Sequence, residues 1–121
     1  KKNCSLIFAG GYFHHNSLVF ESQEGIKLIT KTRADKAFIG ASAVSGKLGV
    51  TCIYPYELEI KKAILKSVKT KILTVDSTKF EKVKATHFAD LPEFDMVITD
   101  AEISEEYIEI IRNFGLDLYI V

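Results

Sequence analysis

Lys79 is placed by position as well as by type to hold a negative charge. It lies in Asp76-Ser77-Thr78-Lys79-Phe80, just after the apolar run Lys71-Ile72-Leu73-Thr74-Val75. Ligands of open α/β sheets bind beyond the carboxyl ends of the strands, so a lysine in such a loop is a natural point charge for a phosphate or a polarised hydroxyl. A solvated surface lysine is the plain alternative. Glu57 and Lys61 are four residues apart with the acid first, the favourable order for a helical pair, worth roughly 0.2–0.5 kcal/mol. They read either as a surface pair or as a carboxylate facing a ligand crevice and held there by its lysine. Gly10-Gly11 could bring backbone N–H groups close to an anion or form a simple tight turn. Neither GxGxxG nor GxxxxGK[ST] occurs, so a nucleotide fingerprint is absent. Asp35, Asp76, Asp95 and Asp100 stand near the ends of apolar runs, where Asp76 and Asp100 suit the capping of their own loops.

Other chemistries find less support. His14-His15 is an adjacent pair that points to opposite sides of an extended chain, and His87 stands alone. With no Cys or carboxylate at ligand spacing, no metal is expected, and no cofactor. Ser42 and Ser45 lack the Gly-x-Ser-x-Gly setting of a hydrolase nucleophile. Cys4 and Cys52 are too few for a disulfide framework and lack CxxC spacing, which points to a reduced, cytoplasmic protein.

The elements that must position these residues follow from apolar patterning. Ser5–Ala9, closed by Gly10-Gly11, reads as a buried strand, and Tyr12–Ser17 as a loop. Glu24–Lys31 carries Ile26 and Ile29 at helical spacing. Lys36–Ala41 is a second strand, and Ser42–Cys52, with Gly46 and Gly49, reads as a loop. Tyr56, Ile60, Ala63 and Ile64 form one face of a helix over 56–67, with Pro55 suited to its first turn. Strands are expected at Lys71–Val75, Thr86–Ala89, Met96–Thr99 and Leu116–Val121. Ser104 is a good N-cap for a helix that buries Tyr107, Ile108, Ile111 and Phe114 and stops at Gly115. Continuous apolar strands alternating with helices predict an α/β fold, a mostly parallel sheet flanked by helices on both faces. No linker or repeat divides residues 1–121, so one domain is expected.

The chain has 121 residues, 47% hydrophobic and 26% charged, with 16 basic residues balancing 16 acidic ones. A neutral domain lacks the basic excess that phosphate-backbone contact needs, so DNA is not a partner of this piece itself. No run approaches the roughly 20 apolar residues of a membrane span, and no membrane partner is expected. No signal peptide is visible.

Five segments, in order, resemble the C-terminal effector-sensing domain of the DeoR family of bacterial transcriptional regulators. They are Gly10-Gly11, Ala34-Asp35-Lys36-Ala37-Phe38-Ile39-Gly40-Ala41, Gly49-Val50-Thr51 with Glu57 and Lys61, Asp76-Ser77-Thr78-Lys79-Phe80, and Val97-Ile98-Thr99-Asp100. The stretches Gly10–His14, Gly49–Cys52 and Glu57-Leu58 are more similar to the repressor that gives the family its name than to its sugar-operon relatives. The resemblance implies a fold similar to ribose-5-phosphate isomerase and coenzyme A transferases. It implies a repressor whose sensor binds a phosphorylated pentose or hexose, with deoxyribose-5-phosphate the first candidate. DNA binding would belong to a helix-turn-helix domain outside this chain. The family's sensor begins further upstream, with a strand and a Gly-Thr-Thr loop, so the chain is expected to be truncated on that side.

In the register of that resemblance, Ile39 and Ser42 occupy the positions of two isomerase carboxylates. Proton transfer between sugar carbons needs a positioned base, so the pocket is expected to bind and not to isomerise: no enzyme. The expected ligand contacts are Gly10, Gly11, Gly40, Ser42, Thr51, Glu57, Lys61 and Lys79. Binding would change how a homo-oligomer presents its DNA-binding domains. The rival readings are an isomerase-like enzyme fragment and an oligomerisation module.

Overall fold

A computed structural model describes residues 3–121. The chain first makes a two-stranded hairpin, β1 (Tyr12–His14) and β2 (Val19–Glu21), paired antiparallel with Phe13 opposite Phe20. Helix α1 (Gln23–Lys31) follows, its N-terminus capped by the Ser22 hydroxyl, which accepts from the Gly25 N–H. Strand β3 (Ala34–Ile39) leads into a second hairpin, β4 (Ala43–Ser45) and β5 (Gly49–Cys52). Helix α2 (Tyr56–Ser67) then feeds β6 (Val68–Thr74). Next come a 3-10 turn at Ser77–Lys79, β7 (Thr86–Ala89), β8 (Met96–Thr99), α3 (Glu105–Asn113) and β9 (Asp117–Ile120).

The main sheet is four-stranded and wholly parallel in the order β3-β6-β8-β9. Parallel neighbours need long crossovers, which α2 supplies between β3 and β6 and α3 between β8 and β9. Neighbours along a strand point to opposite faces, and in β6 both Ile72 and Leu73 are buried. Both faces of the sheet are therefore covered at its centre, the condition for a parallel sheet. A second sheet, β4-β5-β7, is antiparallel. It joins the first through one core, in which Ile39, Leu73 and Val97 meet Val44, Val50, Phe88 and Leu91. Cys52, on β5, is fully buried in that core, whereas Cys4 is exposed.

Three expectations are corrected. Ser5–Ala9 is not a strand: it has no ladder partner among the described residues, and Leu6, Ile7 and Phe8 are 84%, 76% and 64% exposed. An apolar run makes a strand only where another strand satisfies its backbone groups. Tyr12–Ser17 is not simply a loop, because its first half pairs with Val19–Glu21. Ser42–Cys52 is a buried hairpin whose outer partner is β7, far away in sequence. The helices lie where expected. Ser104 caps α3 by accepting from the Tyr107 N–H, and Gly115 ends that helix at φ +83°.

Candidate functional site

A crevice opens beyond the carboxyl ends of β3 and β6, the position favoured for ligands in open α/β sheets. One half, of about 340 Å³, is lined by Gly40, Ala41 and Ser42 after β3, by Glu57 and Lys61 on α2, by Ile53 and Tyr54 before that helix, and by Asn16 and Ser17 from the β1–β2 turn. The adjoining half, of about 330 Å³, shares Ala41, Ser42 and Ile53 and adds Thr78, Lys79, Lys82 and Lys84. The first half offers hydroxyls, an amide and the Glu57 carboxylate beside the Lys61 ammonium. The second offers three lysines. Each half lies within the size range of small-molecule sites, about 300–1,000 Å³.

Lys61 is a strut within this crevice. Its ammonium donates to the Gly40 carbonyl at 2.8 Å, lies 3.8 Å from Glu57 Oε1, and sits 5.0 Å from the centroid of the Phe88 ring. Burial lowers the Lys61 pKa, while the Glu57 carboxylate pulls it back up. The lysine thereby ties the turn after β3 to α2 and sets a positive charge beside Glu57. Nearby, burial raises the pKa of the Cys52 thiol, and the Glu57 charge raises it further. Cys52 is therefore a neutral core thiol and not a nucleophile.

The acids at the strand ends shape loops. Asp76 Oδ1 accepts from both the N–H and the hydroxyl of Thr78, and Oδ2 accepts from Lys79 Nζ at 3.0 Å. These bonds, that of the Thr78 hydroxyl first, lower the Asp76 pKa to about 2. Asp100 accepts from the N–H groups of Ser77 and Glu102 at 2.8 and 2.9 Å, and the Ser77 bond leads in holding its pKa down. Asp95 accepts from the Lys71 N–H at 2.8 Å. Asp35 lies near the start of β3, beside Arg33, Lys66 and Lys69, at the far end from the crevice. Ile39 is 3% exposed in the core.

Of the expected ligand contacts, Gly40, Ser42, Glu57 and Lys61 meet in the first half of the crevice, and Lys79 lines the second. Thr51 is buried behind it. Its carbonyl accepts from the Ser42 N–H at 3.0 Å and its hydroxyl from the Lys84 N–H at 2.8 Å, so it sets the positions of two lining residues. Gly10 and Gly11 line neither half. Asn16, Ser17, Tyr54, Lys82 and Lys84 were not expected at the site. The rhythm of Lys79, Lys82 and Lys84 was a readable signal for the last two. A larger cavity of about 400 Å³ lies between Gly46 and α3, but there Lys47 stands with Glu81 and Glu106, a poorer setting for an anion. Among the described residues, no cluster of three His, Cys, Asp or Glu could hold a metal ion, and no helix is long and apolar enough to cross a membrane.

An α/β fold with a polar crevice at its strand ends, and with the flanking acids occupied in loop capping, has the form of a binding domain. Family comparison makes the class definite: the model for the DeoR C terminal sensor domain matches residues 1–101. The chain belongs to that family and is a regulatory sensor domain, not a catalytic one. It is 30% identical over 109 residues to the deoxyribose operon repressor of Escherichia coli, covering 90% of this chain and 43% of the relative. It is 28% identical over 118 residues to the HTH-type transcriptional regulator GolR of Listeria innocua, covering 98% and 46%. With the HTH-type transcriptional regulator IolR of Bacillus subtilis it shares 24% identity over 119 residues, covering 98% and 47%. The chain thus spans less than half the length of these relatives.

Proposed function

We propose that this chain is the effector-binding part of a bacterial transcriptional repressor and that its effector is a phosphorylated sugar, with deoxyribose-5-phosphate the first candidate. The observation that carries the reading is the two-part crevice, in which a neutral, hydroxyl-rich half continues at Ser42 into a half lined by three lysines. The sugar lies in the first half, where Ser42 and the carboxylate of Glu57 meet its hydroxyls. The phosphate lies in the second, against Lys79 and Lys84. The name of the deoxyribose operon repressor supports the choice of sugar. In the intact protein, occupancy biases the domain between two arrangements. A homo-oligomer then presents helix-turn-helix domains, carried outside this chain, differently to DNA.

The test is calorimetric titration of the intact protein with deoxyribose-5-phosphate, ribose-5-phosphate and inorganic phosphate. Replacing both Lys79 and Lys84 by alanine removes two charge-assisted contacts, each worth about 1.5–3 kcal/mol, and should weaken the phosphorylated sugars by about a hundredfold or more. Unchanged affinity in that variant would place the phosphate elsewhere. Failure of the unaltered protein to bind any phosphorylated sugar would remove the reading altogether.

A further inference from the structure

We infer that the β1–β2 hairpin is a wall of the ligand site, and that Asn16 and Ser17 at its turn read the uncharged, hydroxyl-bearing end of the effector. This rests on the sugar-phosphate reading above and extends it to residues outside the expected contact set. Asn16 and Ser17 line the neutral half of the crevice together with Ser42 and Glu57. They are thus on the half away from Lys79, Lys82 and Lys84, where the one ammonium, that of Lys61, stands beside the Glu57 carboxylate, and the effector's hydroxyls remain to be recognised. An amide offers both donors and an acceptor to a polyol, and a hydroxyl offers one of each kind.

The hairpin is held against the body by side chains. It forms a two-stranded sheet of its own, with no ladder to either of the others. The His14 ring stacks on Tyr56 at 3.6 Å between centroids and 10° between planes. The Ser17 and Tyr56 hydroxyls share a 2.5 Å hydrogen bond, and His14 Nε2 is bonded to Glu21 Oε1 at 2.9 Å. Tyr56 is the first residue of α2, next to Glu57, and also stacks on the crevice-lining Tyr54. One tyrosine therefore ties the hairpin turn to the helix that carries the opposite wall. At the hairpin's base Gly11 has φ +124°, and a Cβ there would stand 2.4 Å from the Glu21 carbonyl oxygen. Only glycine lets the two strands close at that point. The consequence is a specificity device. Asn16 and Ser17 contact the sugar directly, Tyr56 is a positioning residue, and a bound sugar holds the turn in place.

The experiment compares the intact protein with its Asn16→Ala and Tyr56→Phe variants, titrating each with deoxyribose-5-phosphate, ribose-5-phosphate and inorganic phosphate. Amide hydrogen exchange over residues 12–21 is followed in parallel. Loss of one neutral hydrogen bond should weaken both phosphorylated sugars about three- to tenfold and leave inorganic phosphate unchanged. The hairpin amides should gain protection with the sugars and not with phosphate. Sugar affinities unchanged in both variants, with no gain of hairpin protection, would overturn the inference. If the lysine substitutions still weakened binding, the sugar-phosphate reading would stand without it. Equal weakening of sugar and inorganic phosphate would also overturn it, by showing a general structural effect.

Discussion

Asp76 shows a strand-end acid spent on its own loop, the capping role that its position suggests. Each of its oxygens is taken by the loop that it caps. Its folded pKa of about 2 lies below the ordinary 3.8. A depressed carboxylate adds stability that is present above the unfolded value and lost as pH falls through the folded one. The stability difference between the protein and its Asp76→Asn variant, measured by urea denaturation, should therefore be constant from pH 7 down to about 4 and shrink towards pH 2. A difference that stays constant across that range would show that the carboxylate's charge contributes nothing. Lys61 makes the complementary point. Its spacing from Glu57 was legible, but its bond to the Gly40 carbonyl was not. The pair suggested mutual support on a helix face. The structure adds a third member from another element, which turns the pair into a brace for the crevice.

Elements were legible in proportion to how local their causes are. Helix α3 has its N-cap at Ser104, acids at Glu105 and Glu106 in the first turn, and Gly115 just past its end, signals that need no knowledge of the rest of the fold. Ser104→Ala removes the acceptor for the Tyr107 N–H and should cost about 1 kcal/mol in denaturant unfolding. A loss below a few tenths would mean that another group caps the helix. The β4–β5 hairpin was illegible because its cause is distant. Gly46 and Gly49 look like loop residues, and the strands exist because β7 pairs with β5 and the core encloses Val44 and Val50. Ser5–Ala9 is the converse case, an apolar run with nothing to pair with among the described residues. For the same reason half of the candidate site was hidden. Glu57, Lys61 and Lys79 carry their signal in spacing and loop context. Asn16 and Ser17 acquire theirs only when Tyr56 draws the hairpin turn over α2.

At the scale of the whole molecule, two sheets of different kinds share one core, and the crevice sits beside their junction. Residues from the turn after β3, from the β5–α2 link and from the segment after β6 converge there. No single stretch of sequence contains the site, so family membership was readable only from an ordered set of short segments. The same convergence makes ligand binding a matter of global stability. An effector at 100 times its dissociation constant adds about 2.7 kcal/mol to the folded state. That stabilisation acts on the junction, where β5 carries Val50 and Cys52 into the common core.

Cys52 therefore serves as a built-in clock for that junction. Its thiol is enclosed and its pKa is raised by burial, so an alkylating reagent reaches it only when β5 separates from its neighbours. Cys4, exposed, is consumed at once and marks zero time. Under conditions where opening is a pre-equilibrium, 2.7 kcal/mol of effector stabilisation should slow Cys52 modification about 100-fold, and leave Cys4 unaffected. Mass spectrometry of the labelled peptides would read both rates in one sample. Equal slowing at both cysteines would reveal simple quenching of the reagent, and an unchanged Cys52 rate would show that β5 opens independently of the crevice.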